Sequence, residues 1–161
     1  ISIGQGEILS TPLQIANLGA TIANRGHFTT PHIVKEIQDA QLDSIYRHPR
    51  NTTIERRHYE SVVEGMRAAA TGGTCRMLSV MVPELEACGH DHSVFMGFAP
   101  MNQPKIAIAV YVENGGWGAT YGVPIGALMM EQYMKGKLSP ENELRAEEIS
   151  NRIILYGNEE R

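Results

Sequence analysis

The strongest pattern in the chain is an alternation of apolar positions between His92 and Asn114. Val94, Met96 and Phe98 point one way and Phe95, Gly97 and Ala99 the other, while Ile106, Ile108, Val110 and Val112 oppose Ala107, Ala109 and Tyr111. A period of two in both runs predicts two antiparallel strands. The turn between them, Pro-Met-Asn-Gln-Pro, is bracketed by Pro100 and Pro104, which fix φ and donate nothing to a ladder. Neither face of this hairpin is polar. It therefore belongs in a sheet covered by helices on both sides, and the small residues of one face let a helix backbone come close.

Helical periods surround it. Thr11 caps a helix with Pro12 at its first position and Gly26 as its stop; Leu13, Ile15, Ala16, Ala20, Ile22 and Ala23 leave it almost no polar face, so it is expected to be buried. Alternation over His32–Ile37 predicts a short strand, followed by an Asp-Ala turn and a return strand. Ile54–Thr71 is amphipathic, with Tyr59, Val62, Val63, Met66, Ala69 and Ala70 on one face and Gly72-Gly73 as its end. Thr74–Pro83 reads as a short link and Leu85–Cys88 as a strand entering the hairpin. Beyond Gly115-Gly116-Trp117-Gly118, a helix carries Ile125, Leu128, Met129 and Tyr133, and Ser139-Pro140 opens a last, charged helix expected to lie outside. This order predicts an α+β fold, an antiparallel sheet flanked by helices, in a single partial domain over residues 1–161.

Composition narrows the function classes. The 161 residues are 42% hydrophobic, enough for an ordinary core. A formal net charge of −4 with no basic run argues against a nucleic-acid partner. The apolar runs fall short of the ~18 residues of a membrane span. Cys75 and Cys88 form no C-x-x-C; they suit isolated packing thiols better than a disulfide framework.

No complete catalytic set appears. None of the serines has Lys three residues on, no Ser-x-Asn and no G-x-S-x-G occurs, and Lys35, Lys105, Lys135 and Lys137 are not followed by Ser/Thr-Gly. Gly4 and Gly6 precede the first helix, but the third glycine and the lysine of a phosphate loop are missing. His27 and His32 are spaced as surface histidines. His90 and His92 would share one strand face and could touch a metal, yet nothing nominates a third ligand, so no metal or other cofactor is expected.

Several separated motifs nevertheless resemble one family in one order. Ile3-Gly4-Gln5-Gly6, Thr11–Ala16, Ala23-Asn24-Arg25-Gly26, Ala69–Thr74, His92–Pro100, Lys105–Asn114 and Gly122–Met130 are similar to the mid-to-late part of the transpeptidase domain of class B penicillin-binding proteins, nearest the penicillin-binding protein 2 branch. The resemblance implies a serine D,D-transpeptidase that cross-links peptidoglycan stem peptides and is acylated by β-lactams. It also implies a periplasmic parent anchored in the inner membrane. The family's Ser-x-x-Lys and Ser-x-Asn are expected N-terminal to Ile1, in a remainder whose absence would bare apolar surface and invite self-association through the hairpin sheet or the first helix.

The family's Lys-Thr-Gly would follow Cys88-Gly89, but here Gly89 meets His90 directly. An omitted segment at that junction is expected. No catalytic residue is carried onto this chain; Cys88 and Gly89 mark only the lip of the substrate groove. The resemblance thus implies a fragment inactive by itself, and the alternative is a non-catalytic module that keeps the sheet to bind cell-wall peptide or a partner protein.

Overall fold

The computed structural model describes residues 9–73, 75–81, 88–90, 94–113 and 118–153. Along the chain come α1 (Pro12–Ala23), β1 (His27–Phe28), α2 (Ser44–Arg47), β2 (Arg50–Asn51), α3 (Arg56–Gly72), α4 (Arg76–Met81), β3 (Cys88–His90), β4 (Val94–Ala99), β5 (Ile106–Tyr111), α5 (Gly122–Lys135) and α6 (Pro140–Ser150). Strands β3, β4 and β5 form an antiparallel sheet in that order, and β1 pairs with β2 in a separate ribbon.

The expected hairpin is β4–β5, with Phe95 opposite Val110 and Gly97 opposite Ile108. Paired residues share a face. On one face Phe95, Ala99, Ile108 and Val110 pack with Val123, Ala127 and Met130 of α5 and Met81 of α4. On the other, Phe98, Met96 and Ala107 meet Ile22 and Ala23 of α1 and Tyr59, Val63 and Met66 of α3. The doubly apolar alternation is thus satisfied by helices on both sides. The close approach expected of the small-residue face is made by α1: a Cβ on Gly19 would stand 3.2 Å from Met96 Cγ and 3.8 Å from Ala107 Cβ.

α1 begins in a full capping box. The Thr11 hydroxyl accepts from the Gln14 amide at 3.3 Å and the Gln14 side chain accepts from the Thr11 amide at 2.8 Å. Thr11→Ala is therefore expected to lower the unfolding free energy by about 1 kcal/mol, read as a shift of the urea midpoint; an unmoved midpoint would mean that the box contributes nothing. At the other end Gly26 takes φ 106° and its amide donates to Thr21 O at 2.9 Å. A Cβ there would also press on the Tyr59 ring, so the stop requires glycine for two reasons.

Two expectations need correction. α1 is not buried all round: Leu13 and Leu18 are 58% and 54% exposed, because only the face bearing Gly19, Ile22 and Ala23 reaches the sheet. His32–Ile37 is not a strand. Residues 31–41 are all exposed, so their alternation has no core to face, and only an Ile37–Ala40 bridge around a turn forms there, followed by α2 instead of a return strand. α5 turns Val123, Ala127 and Met130 inward, packs the partly buried Ile125 and Leu128 against the same core, and leaves Met129 and Tyr133 exposed. Of the strand expected at Leu85–Cys88, Cys88 opens β3, and residues 82–87 lie outside the described ones.

The Gly89–His90 junction lies within β3. Cys88, Gly89 and His90 pair in unbroken register with Phe98, Gly97 and Met96.

Candidate functional site

The residues nominated from sequence, Cys88 and Gly89, are the first two positions of β3. β3 is bonded to β4 on one side, and among the described residues no strand flanks it on the other. Its outer backbone groups thus form an edge of the kind that takes an extended peptide by strand addition. Gly89 pairs with Gly97, so one row of the sheet carries no side chain where β3 meets β4. Asp91 and His92 lie outside the described residues, and with them the metal reading built on His90 and His92.

Serine, lysine and carboxylate come together at one place, which the sequence reading did not pick out. Glu131 of α5 is 1% exposed. It accepts from Lys135 Nζ at 3.0 Å, from the Ser139 amide at 3.3 Å and from Asn142 Nδ2 at 2.7 Å, with Ser139 Oγ 3.5 Å away. Asn142 Nδ2 also donates to Met81 O at 3.0 Å, tying α6 to the end of α4. Burial pushes the Glu131 pKa up, but the hydrogen bonds from Asn142, Lys135 and Ser139 and the charge of Lys135 outweigh it, leaving the pKa below the usual carboxylate value. A carboxylate held so firmly ionised is a poor proton acceptor for a serine hydroxyl. The cluster is a structural tie between three helices. Its sequence signal is Glu131 and Lys135 at i, i+4 followed by Ser139-Pro140 and a polar Asn142 on an otherwise charged helix.

Other candidates settle simply. His27 and His32 are exposed, and His32 lies 5.2 Å from the Tyr46 ring. Cys75 is a fully buried thiol packed in the core beside Ala70 and Phe95. Among the described residues no group of three or more His, Cys, Asp or Glu is placed to hold a metal ion, and no helix is long and apolar enough to cross a membrane.

The sheet with helices on both faces fits one known domain. The family described as the penicillin binding protein transpeptidase domain matches residues 1–135. The chain belongs to this family. It is 28% identical to the peptidoglycan D,D-transpeptidase MrdA of Haemophilus influenzae, with 86% of this chain and 26% of that protein aligned. It is 30% identical to the peptidoglycan D,D-transpeptidase PbpA of Mycobacterium tuberculosis, with 84% and 32% aligned. Among solved transpeptidase structures, penicillin-binding protein A from M. tuberculosis in its imipenem acyl-enzyme complex matches with a TM-score of 0.65 at 28% identity, over 81% of this chain and 33% of that one. The D,D-transpeptidase domain from Eggerthella lenta shares the fold at a TM-score of 0.64 and 19% identity.

The chain thus spans about a quarter of MrdA and a third of PbpA. The α+β penicillin-binding fold expected from the motifs is the one found. The MrdA match runs over 167 positions although 86% of a 161-residue chain takes part, so the relative carries residues for which this chain has no counterpart.

Proposed function

We propose that this chain is the later part of a peptidoglycan D,D-transpeptidase domain, supplying the sheet against which a stem peptide or a β-lactam is held, and inactive by itself. The carrying observation is β3: an edge strand with a side-chain-free row at Gly89–Gly97, in a chain matched by the transpeptidase family over residues 1–135. In this reading Cys88 and Gly89 form the lip of the groove. The serine that is acylated, its lysine and the oxyanion donors belong to the N-terminal remainder of the domain, which is then the chain's principal partner. The parent protein works in the periplasm, anchored in the inner membrane, in cell-shape growth.

Inactivity has a direct test. No serine of this chain has the lysine that would activate it, so incubation with a fluorescent penicillin is expected to leave the intact mass unchanged. A covalent adduct on any serine overturns this.

A second reading, a non-catalytic scaffold that binds cell-wall peptide or a partner protein, is favoured by the sequence Cys88-Gly89-His90, which has no Lys-Thr-Gly to hold a substrate carboxylate. Coding sequence ahead of Ile1 separates the two. Ser-x-x-Lys and Ser-x-Asn there decide for the enzyme, and their absence decides for the scaffold.

A further inference from the structure

Met81 ends α4 with a backbone oxygen that its own helix cannot serve, since the last carbonyls of a helix have no intrahelical partner. Its donor comes from 61 residues further along the chain, Asn142 Nδ2 at 3.0 Å. We propose that Asn142 is a positioning residue for β3, and that α6 acts through it as a brace, fixing the end of α4 and so the point from which the chain enters the groove strand. The transpeptidase family matches residues 1–135, so the brace comes from beyond the matched part and reaches back into it.

Asn142 can sit in only one orientation. It is buried, its amide nitrogen donates to both Met81 O and Glu131 Oε2, and its oxygen accepts from Arg145 Nη1 at 3.0 Å. Turned over, the amide would aim its oxygen at two acceptors and its N–H groups at a guanidinium. Arg145 is itself held by Glu141 at 2.7 Å. A buried amide engaged on both its nitrogen and its oxygen is costly to displace, so whatever it holds is held firmly.

What it holds lies close to β3. The Met81 side chain packs in the cluster that contains Phe95, Ala99 and Val110, so Met81 is pinned through its backbone by α6 and through its side chain by the sheet. Residues 82–87 separate it from Cys88, a span of at most about 25 Å. α4 has six residues, too few to persist as a helix without its contacts. β3 has three, and so short a ladder opens easily unless the chain leading into it is fixed. A strand fixed in advance spares a bound peptide the cost of ordering it. β3 is a groove wall only on the transpeptidase reading, on which this role rests; the bracing is a contact that can be tested apart from it.

Hydrogen exchange of the 161-residue chain, read by mass spectrometry beside its urea midpoint, tests the brace. In Asn142→Leu the peptide containing Cys88–His90 is expected to exchange roughly tenfold faster relative to β5 than it does in the native chain, as for the loss of one buried hydrogen bond. The pair Glu131→Gln with Asn142→Asp separates the brace from general stability. There the new amide donates to the new carboxylate, which still accepts from Arg145, so α5 and α6 stay joined while Met81 O loses its donor. β3 should loosen as in Asn142→Leu, with a smaller fall in the urea midpoint. The native chain needs no variant: as urea rises, β3 and α6 should open together, before the β4–β5 hairpin. A β3 that exchanges in step with β5 in both variants, or that opens apart from α6 in the native chain, overturns the proposal. Neither result touches the transpeptidase reading, which a parent without Ser-x-x-Lys would remove while leaving the brace in place.

Discussion

Gly126→Ala is expected to lower the unfolding free energy by about 2 kcal/mol, although the same change in most helices is favourable. α5 lies over β4 so closely that a Cβ on Gly126 would overlap the Phe95 ring at Cε1 and Cδ1. That ring is fully buried among Ala99, Val123 and Ala127, so it has nowhere to turn without displacing the core. Against the clash stands the helix propensity of alanine, worth about 1 kcal/mol over glycine. The overlap is deeper than side-chain adjustment absorbs, and the clash wins. Gly65→Ala is the matched control: it lies on the exposed side of α3 with nothing within 4 Å of its Cβ position, so there only the propensity gain of up to ~1 kcal/mol remains. Urea midpoints for the two variants should move in opposite directions. A stabilised Gly126→Ala would mean that α5 does not sit on Phe95 as described.

Glu131→Ala is expected to cost more, about 3 kcal/mol. The ion pair with Lys135 is the smaller part, since the Lys135 side chain is 37% exposed and rehydrates when released. The larger part is the donors left behind: Asn142, 1% exposed, loses one acceptor of its amide, and the Ser139 amide loses its Glu131 acceptor at the start of α6. Glu131→Gln should recover little, because its amide would turn a second donor toward Asn142 or Ser139. The pH dependence has a definite sign. The folded pKa of Glu131 lies below the unfolded value, about 4.3. Its contribution is therefore complete above that value and lost as pH falls through the lower folded pKa. Acid titration of the urea midpoint should show this loss in the native chain and a shallower decline in Glu131→Ala. Parallel curves would remove Glu131 from the acid response.

What was legible in the sequence was whatever repeats with a period and meets a partner. The β4–β5 hairpin shows on both of its faces, and α3 shows as a stripe from Tyr59 to Ala70. The inward face of α5 was not legible because periodicity follows large residues, whereas this helix approaches through Gly122 and Gly126 against Phe95. His32–Ile37 alternates as cleanly as a strand, but a strand also needs a neighbour, which sequence periodicity does not report. The tie at Glu131 was invisible for a related reason: Glu, Lys, Ser and Asn near a helix end read as solvated surface until the end of α4 is seen to lie against Asn142. Of the candidate site, the chemistry was not legible. Cys88 and Gly89 were located by family motifs alone, and only the pairing of Gly89 with Gly97 shows why that place in the sheet is bare.

The two faces of the hairpin are closed by helices from different distances along the chain. β4, β5 and α5 lie within Val94–Lys135, so the face bearing Phe95 is covered by its own neighbours in sequence. The face bearing Met96 and Ala107 is covered by α1, which leaves the ribosome well before the strands exist. During synthesis Gly19 has neither Met96 nor Ala107 to lie on until β4 and β5 have emerged. The sheet-facing stripe of α1 therefore waits for its partners while α2, α3, α4 and β3 are made.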